Sequence, residues 1–178
     1  SNEVIYQYQS DGNFEQALKL SLAIDRNVSD PGKYFIYRKN GDNWEQLVTQ
    51  VYDRDAKLEA VIYTRDLGSF KLAYDASFSG TNLVPNDYAL KQNYPNPFNP
   101  STTIQYDLAN DGHVRILIYN ILGQRIRELI NENQLAGSNK RTIWDGRDQS
   151  GKSVASGVYI YQITSREYFA SKRMLLIK

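Results

Sequence analysis

Cysteine is absent from the 178 residues, which removes disulfides, thiolate zinc sites, iron–sulfur clusters and cysteine nucleophiles from consideration. Histidine occurs once, at His113, so His-rich metal sites are excluded with them. No apolar run comes near the ~20 residues a membrane-spanning helix needs, and no apolar leader opens the chain. A Gly-x-Ser-x-Gly elbow is missing, and a lone His without a positioned nucleophile makes no catalytic triad. Convincing helical periodicity is missing too, since nearly every patterned stretch alternates with period 2. These absences leave catalysis little to work with. The expectation is a chain that is no enzyme, needs no cofactor and spans no membrane.

What is present points to sheets. Tyrosine is over-used, with 14 Tyr beside 6 Phe and 2 Trp, as suits side chains that cover a sheet and keep a hydroxyl in water. The net charge of +1 hides a split: residues 1–87 carry 9 Lys+Arg against 13 Asp+Glu, and residues 88–178 carry 12 against 7. That asymmetry suggests two modules. The cations are scattered rather than banded, so no nucleic-acid partner is implied. The opening Ser1-Asn2 suggests a piece of a longer protein.

In the first half, strands are expected over residues 4–9, 17–24, 33–39, 44–48, 50–53, 57–63 and 69–74. Asp11-Gly12-Asn13, Ser29-Asp30-Pro31-Gly32, Asn40-Gly41-Asp42-Asn43 and Asp66-Leu67-Gly68 supply the turn chemistry between them. Leu18, Leu20, Leu22 and Ile24 share one strand face. Seven short strands at spacings of about ten residues fit a β-sandwich. The small, polar stretch 76–87 reads as a linker in which Phe78, Leu83 and Val84 can dock on a neighbour. The domain plan is therefore an accessory β-sandwich at 1–79, a linker at 80–87 and a second domain at 88–178.

The second half repeats the pattern over 103–108, 114–119, 125–131, 139–144, 157–164 and 170–177, though Glu128-Leu129-Ile130 fits a helical turn equally well. The polar run 145–151 is a long turn. Its Asp145 and Asp148 are a weak calcium candidate, because Arg147 stands where an oxygen ligand belongs and no Glu closes the loop. His113 reads as an exposed turn residue. Trp44 and nearby tyrosines could stack a sugar, but a core tryptophan sharing a face with Val48 is the commoner arrangement in a sandwich.

The most unusual stretch is Gln92-Asn93-Tyr94-Pro95-Asn96-Pro97-Phe98-Asn99-Pro100-Ser101-Thr102-Thr103, which holds three of the five prolines. Pro95, Pro97 and Pro100 remove backbone donors and press Tyr94, Asn96 and Asn99 toward extended conformations. The reading is a stiff lead-in arm at a sheet edge, pinned by Tyr94 and Phe98.

From Leu90 through this arm to Ile104, the sequence resembles the opening of the type A C-terminal sorting domain of the type IX secretion system. The later motifs follow in order: Val114-x-Ile116-x-Ile118-Tyr119-Asn120-x-Leu122-Gly123-Gln124, Ala136-Gly137, Trp144-Asp145-Gly146-x-Asp148-x-x-Gly151, Ser156-Gly157-Val158-Tyr159-x-Tyr161, and Lys172-Arg-Met-Leu-Leu-Ile-Lys178. The resemblance implies a seven-stranded immunoglobulin-like sandwich at the end of a secreted cargo protein. It also implies export across the outer membrane, then removal by a surface sortase or attachment to an anionic lipopolysaccharide or polysaccharide. The location implied is secreted or cell-surface, the partners are the translocon and the sortase, and the protein is a monomer.

Under that resemblance, Lys172, Met174, Leu175, Leu176, Ile177 and Lys178 form the signal strand. Pro95, Asn96, Pro97, Phe98, Asn99, Pro100, Gly123, Trp144, Asp145, Gly146, Gly157 and Tyr159 are structural signatures rather than catalytic groups. Residues 34–38, 44–47 and 68–73 look like the small sandwich often found ahead of such domains. Recognition of residues 174–177 is expected by strand addition at an exposed edge. Leu175→Asp with Leu176→Asp is then expected to block export while leaving a soluble fold. The alternative function is a carbohydrate-binding or adhesive module of an extracellular enzyme.

Overall fold

The computed structural model describes residues 5–8, 17–54 and 56–178; the Asp11-Gly12-Asn13 turn and the ends of the strand expected at 4–9 lie outside them. Among the described residues the chain is all-β, with fourteen strands and one short 3-10 turn at Pro31–Lys33. It divides into two compact units, Ser1–Asn86 and Asp87–Lys178.

The first unit contains β1 (Ile5–Tyr8), β2 (Leu18–Ala23), β3 (Tyr34–Asn40), β4 (Asn43–Gln46), β5 (Gln50–Arg54), β6 (Lys57–Thr64) and β7 (Gly68–Tyr74). One sheet has the order β1-β7-β3-β4 and the other β2-β6-β5, with antiparallel pairing throughout. Leu20, Leu22 and Ile24 alternate inward as their period-2 spacing requires, and they meet Ile36 and Phe70 of the opposite sheet in one buried cluster. Each such side chain contributes about 1.5–3 kcal/mol by leaving water. Buried Thr49 accepts the Ile36 N–H and donates to the Leu47 carbonyl, which satisfies the backbone where β4 bends into β5.

Residues 81–84, placed in the linker by the sequence pattern, close an edge of this unit. Leu83 forms a parallel bridge with Val51, Val84 is buried, and the Asn82 amide donates to the Tyr34 carbonyl at 2.7 Å. Phe78, Leu83 and Val84, the apolar residues of this otherwise polar stretch, dock on the first unit, Phe78 edge-on against Phe35.

Trp44 is not the core residue its strand pattern suggested. It lies half-buried on the outer face of the β3–β4 hairpin, with the Lys71 ammonium 4.7 Å from its ring centre. Val48 is exposed rather than packed beside it. The alternation of a four-residue edge strand fixes which residues share a face, but not which face meets the core.

The second unit is an immunoglobulin-like sandwich of β8 (Ala89–Leu90), β9 (Thr102–Leu108), β10 (Gly112–Asn120), β11 (Arg125–Gln134), β12 (Gly137–Trp144), β13 (Gly157–Ser165) and β14 (Tyr168–Leu176). Its sheets run β11-β10-β13-β14 and β12-β9-β8. Ile104, Tyr106 and Leu108 of one sheet pack against Val114, Ile116, Ile118, Tyr161 and Ile163 of the other. The helical-turn option at 128–130 gives way to strand. Register shifts at Ile116/Leu117 and Ile118/Tyr119 are bulges, and a bulge breaks strict alternation in sequence without breaking the ladder.

Candidate functional site

The last strand, β14, lies at the end of its sheet beside β13. Met174 and Leu176 point inward and are 1% and 0% exposed, whereas Leu175 and Ile177 are 38% and 48% exposed. Lys172 is half-buried opposite Tyr161, and Lys178 is exposed. Gly157, the first residue of β13, pairs with Leu176.

Beside the outer edge of β14 lies the proline arm, and it is a closed loop rather than an extended lead-in. The bonds preceding Pro95, Pro97 and Pro100 are cis. Tyr94 and Thr103 pair across the base of the loop. Asn93, 2% exposed, donates its amide to the Pro95 carbonyl and the Thr102 hydroxyl, and that hydroxyl donates to Pro95 as well. Tyr94 is exposed, so Phe98 alone of the two expected pins enters the core. Phe98 is 1% exposed, with its ring 5.6 Å from that of Trp144.

The loop meets the final strand through four hydrogen bonds. The Phe98 N–H donates to the Leu175 carbonyl and the Ile177 N–H to the Phe98 carbonyl, each at 3.0 Å. The Leu175 N–H donates to the Asn96 side-chain oxygen at 2.9 Å, and the Gln92 amide donates to the Arg173 carbonyl at 2.9 Å. An edge of residues 173–177 free for strand addition is therefore not what this fold offers. The prolines lack N–H groups, so the bonding falls to Phe98 and to the amides of Gln92 and Asn96. Leu176→Asp would also place a charge at a fully buried position, so the double variant is expected to lose stability as well as the outward Leu175.

The remaining signature residues assemble around this corner. Trp144 is fully buried, meets Tyr159 edge-on at 4.9 Å, and donates its indole N–H to the Arg147 carbonyl at 2.8 Å. Tyr159 donates to the Ala155 carbonyl. Gly146 adopts φ +70°, and a Cβ there would stand 3.0 Å from the Pro100 carbonyl oxygen, so the loop carrying Asn99 and Pro100 depends on that glycine. Gly123, at φ +77°, completes the β10–β11 turn by donating its N–H to the Asn120 carbonyl.

Asp145 and Asp148 do not fit calcium. Asp145 accepts the Arg127 guanidinium at 2.6 Å and the Arg147 N–H. Asp148 accepts the Ser150 hydroxyl and the N–H groups of Ser150 and Lys152, and the Ser150 hydroxyl is the main cause holding its pKa below the usual carboxylate range. Both carboxylates serve as turn caps. Among the described residues, no group of three or more His, Asp or Glu could hold a metal ion. His113 is exposed opposite Asn133.

Tyr161, which closes the Ser156–Tyr161 motif but is not among its expected signature residues, sets where the arm begins. Its hydroxyl donates to the Lys91 carbonyl and accepts the Asn93 N–H, and burial pushes its pKa up to about 12. The available signal was a tyrosine at an inward position of β13, where a buried hydroxyl requires partners.

The second unit is thus a sandwich whose own proline arm bonds to its final strand. Residues 92–178 match the family of secretion system C-terminal sorting domains, and this part of the chain is a type IX secretion sorting domain. A domain of this family marks proteins delivered to the cell surface or the extracellular space, and the family is generally non-catalytic. Two solved structures show a limited similarity. Latent PorU from Porphyromonas gingivalis is 12% identical over 98% of this chain and 20% of its own, with a TM-score of 0.43. PorZ, a surface component of the type IX secretion system of the same organism, is 13% identical over 78% of this chain and 26% of its own, with a TM-score of 0.37. The chain thus spans about a fifth to a quarter of their lengths. No curated protein matches the sequence.

Proposed function

We propose that the chain is the non-catalytic end of a larger secreted protein, with a first-unit spacer ahead of a sorting domain that directs export, then surface attachment or release. The translocon and a surface sortase are its partners, with anionic lipopolysaccharide or polysaccharide as the attachment group. Residues 172–178 carry the signal, and the proline arm, Trp144 and Gly146 hold it in place. The single observation that carries this reading is the sorting-family match over 92–178. The hydrogen bonds that tie the arm to the last strand give that match a physical role.

The test fuses the full chain behind a periplasm-directed reporter in a type IX-competent bacterium and measures the surface and medium fractions, with a fusion lacking residues 172–178 beside it. Export that requires residues 172–178 is the expected result. Equal periplasmic retention of both fusions, as protease-resistant protein, overturns the reading.

Carbohydrate binding by the first unit is favoured only by the surface position of Trp44. A Lys71 ammonium already stands over that ring, on a face a sugar would use. Retarded migration of the chain in a polysaccharide-containing native gel, lost in Trp44→Ala, would revive that function.

A further inference from the structure

With the outer edge of residues 173–177 taken by the arm and Met174 and Leu176 in the core, a partner can touch only the outward side chains of this strand. Those are Arg173, Leu175 and Ile177. In register, Leu175 faces Val158 and Arg173 faces Ile160. Ile160 in turn faces Tyr119, which faces Arg125. At the same end of the sheet, the turn after Asn120 holds Ile121 and Leu122 out to solvent at 72% and 77% exposure. That turn is firmly built, because the Asn120 side chain accepts the N–H groups of Leu122 and Gln124.

Five exposed apolar residues of the second unit therefore gather at one corner: Ile121, Leu122, Val158, Leu175 and Ile177. Solitary exposed hydrophobics are ordinary, whereas a contiguous patch marks an interaction site. Cations fringe this one. Arg173 and Lys178 have no ion-pair partner among the described residues. Arg125 reaches Glu128 only at 4.0 Å, and Arg115 already holds that carboxylate at 2.8 Å.

We propose that this outer face, not the strand edge, is the surface by which the sorting domain is recognised, and that its occupant is a protein groove with an apolar floor and a carboxylate rim. Apolar burial would supply affinity, and the unpaired guanidinium of Arg173 would supply orientation and rate of encounter. Val158 and Leu175 lie within a sheet face beside the raised Ile121–Leu122 turn, a relief that suits a complementary protein groove. The inference rests on the sorting reading above.

The experiment uses the full-chain reporter fusion with Leu175→Glu/Ile177→Glu, the milder Leu175→Ser/Ile177→Ser, and Arg173→Glu, each checked for a wild-type melting temperature and protease resistance. The expected result is a fall in surface fraction of about tenfold for the Glu pair, with smaller losses for the Ser pair and Arg173→Glu. Wild-type export of all three folded variants, while removal of residues 172–178 still abolishes export, overturns the face and leaves the sorting reading standing. Export indifferent to that removal overturns both. Binding of the purified chain to phosphatidylglycerol vesicles, lost in the Ser pair, overturns the protein partner in favour of a lipid surface.

Discussion

The two units differ in which aromatic residues they bury. In the second, Trp144, Tyr106, Tyr161 and Phe98 are fully buried, and the polar atom of each of the first three is bonded to the chain around it. In the first, the buried cluster is aliphatic apart from Phe70. Its Trp44 carries Lys71 over the ring, and its Tyr52 carries Arg54 and Lys19. A buried indole or phenol demands one particular partner, so the second unit is specified by residues that cannot be exchanged freely. An aliphatic core asks only for volume and pattern. That difference explains why the second half carries recognisable motifs and the first half only alternation.

The largest effect that would test this contrast is Leu176→Asp. An unpaired carboxylate at a position with 0% exposure is expected to destabilise the second unit by roughly 4 kcal/mol or more, whereas Leu175→Asp one residue away is expected to stay near 0.5 kcal/mol. Denaturant unfolding followed by limited proteolysis of each unit separates the two outcomes. Trp144→Ala comes next, at about 3–5 kcal/mol. Its cost should fall wholly on the second unit, so calorimetry should show one transition moved and the other in place.

A smaller, pH-dependent effect comes from the buried phenols. Burial raises the pKa of Tyr161 to about 12 and, in the same direction, those of Tyr106, Tyr159 and Tyr168. The fold therefore favours the protonated phenol. That stabilisation is complete below the unfolded value near 10 and is lost as pH rises toward 12. Melting of the second unit should drop across that window, and less steeply in Tyr161→Phe. The smallest effect is expected for Trp44→Ala, at about 1 kcal/mol or less and confined to the first unit. A larger loss, measured by urea titration, would place Trp44 in the stability of that unit and erase the contrast.

Much of this architecture was legible from local pattern. Leu20, Leu22 and Ile24 announce a strand with one buried face, and Asn40-Gly41 announces the hairpin turn in which Gly41 takes φ +60°. Pattern failed where the deciding partner is distant. The stretch at 128–130 looked helical because β11 carries the extra residues Leu129 and Ile126, bulges that shift its alternation. The fold of the proline arm could not be read, since the groups that define it belong to Tyr161 and Leu175. The edge of the last strand looked free for the same reason. Of the candidate site, the residues were visible in the sequence, but their division into core, cap and outward face was not. For Asp145 and Asp148, spacing hinted at a cation, and the protein's own N–H and guanidinium groups proved to be their partners.

The bond between Asn96 and Leu175 spans 79 positions, and this has a consequence in time. A ribosome delivers the first unit whole while the second is still being made. The second unit cannot seat Phe98, Met174 and Leu176 together until residue 177 has emerged. Closure over so long a loop is slow compared with local pairing, so a nascent chain spends an interval with the second sandwich open. A chaperone meeting it then would find the sorting residues unclaimed by their own fold.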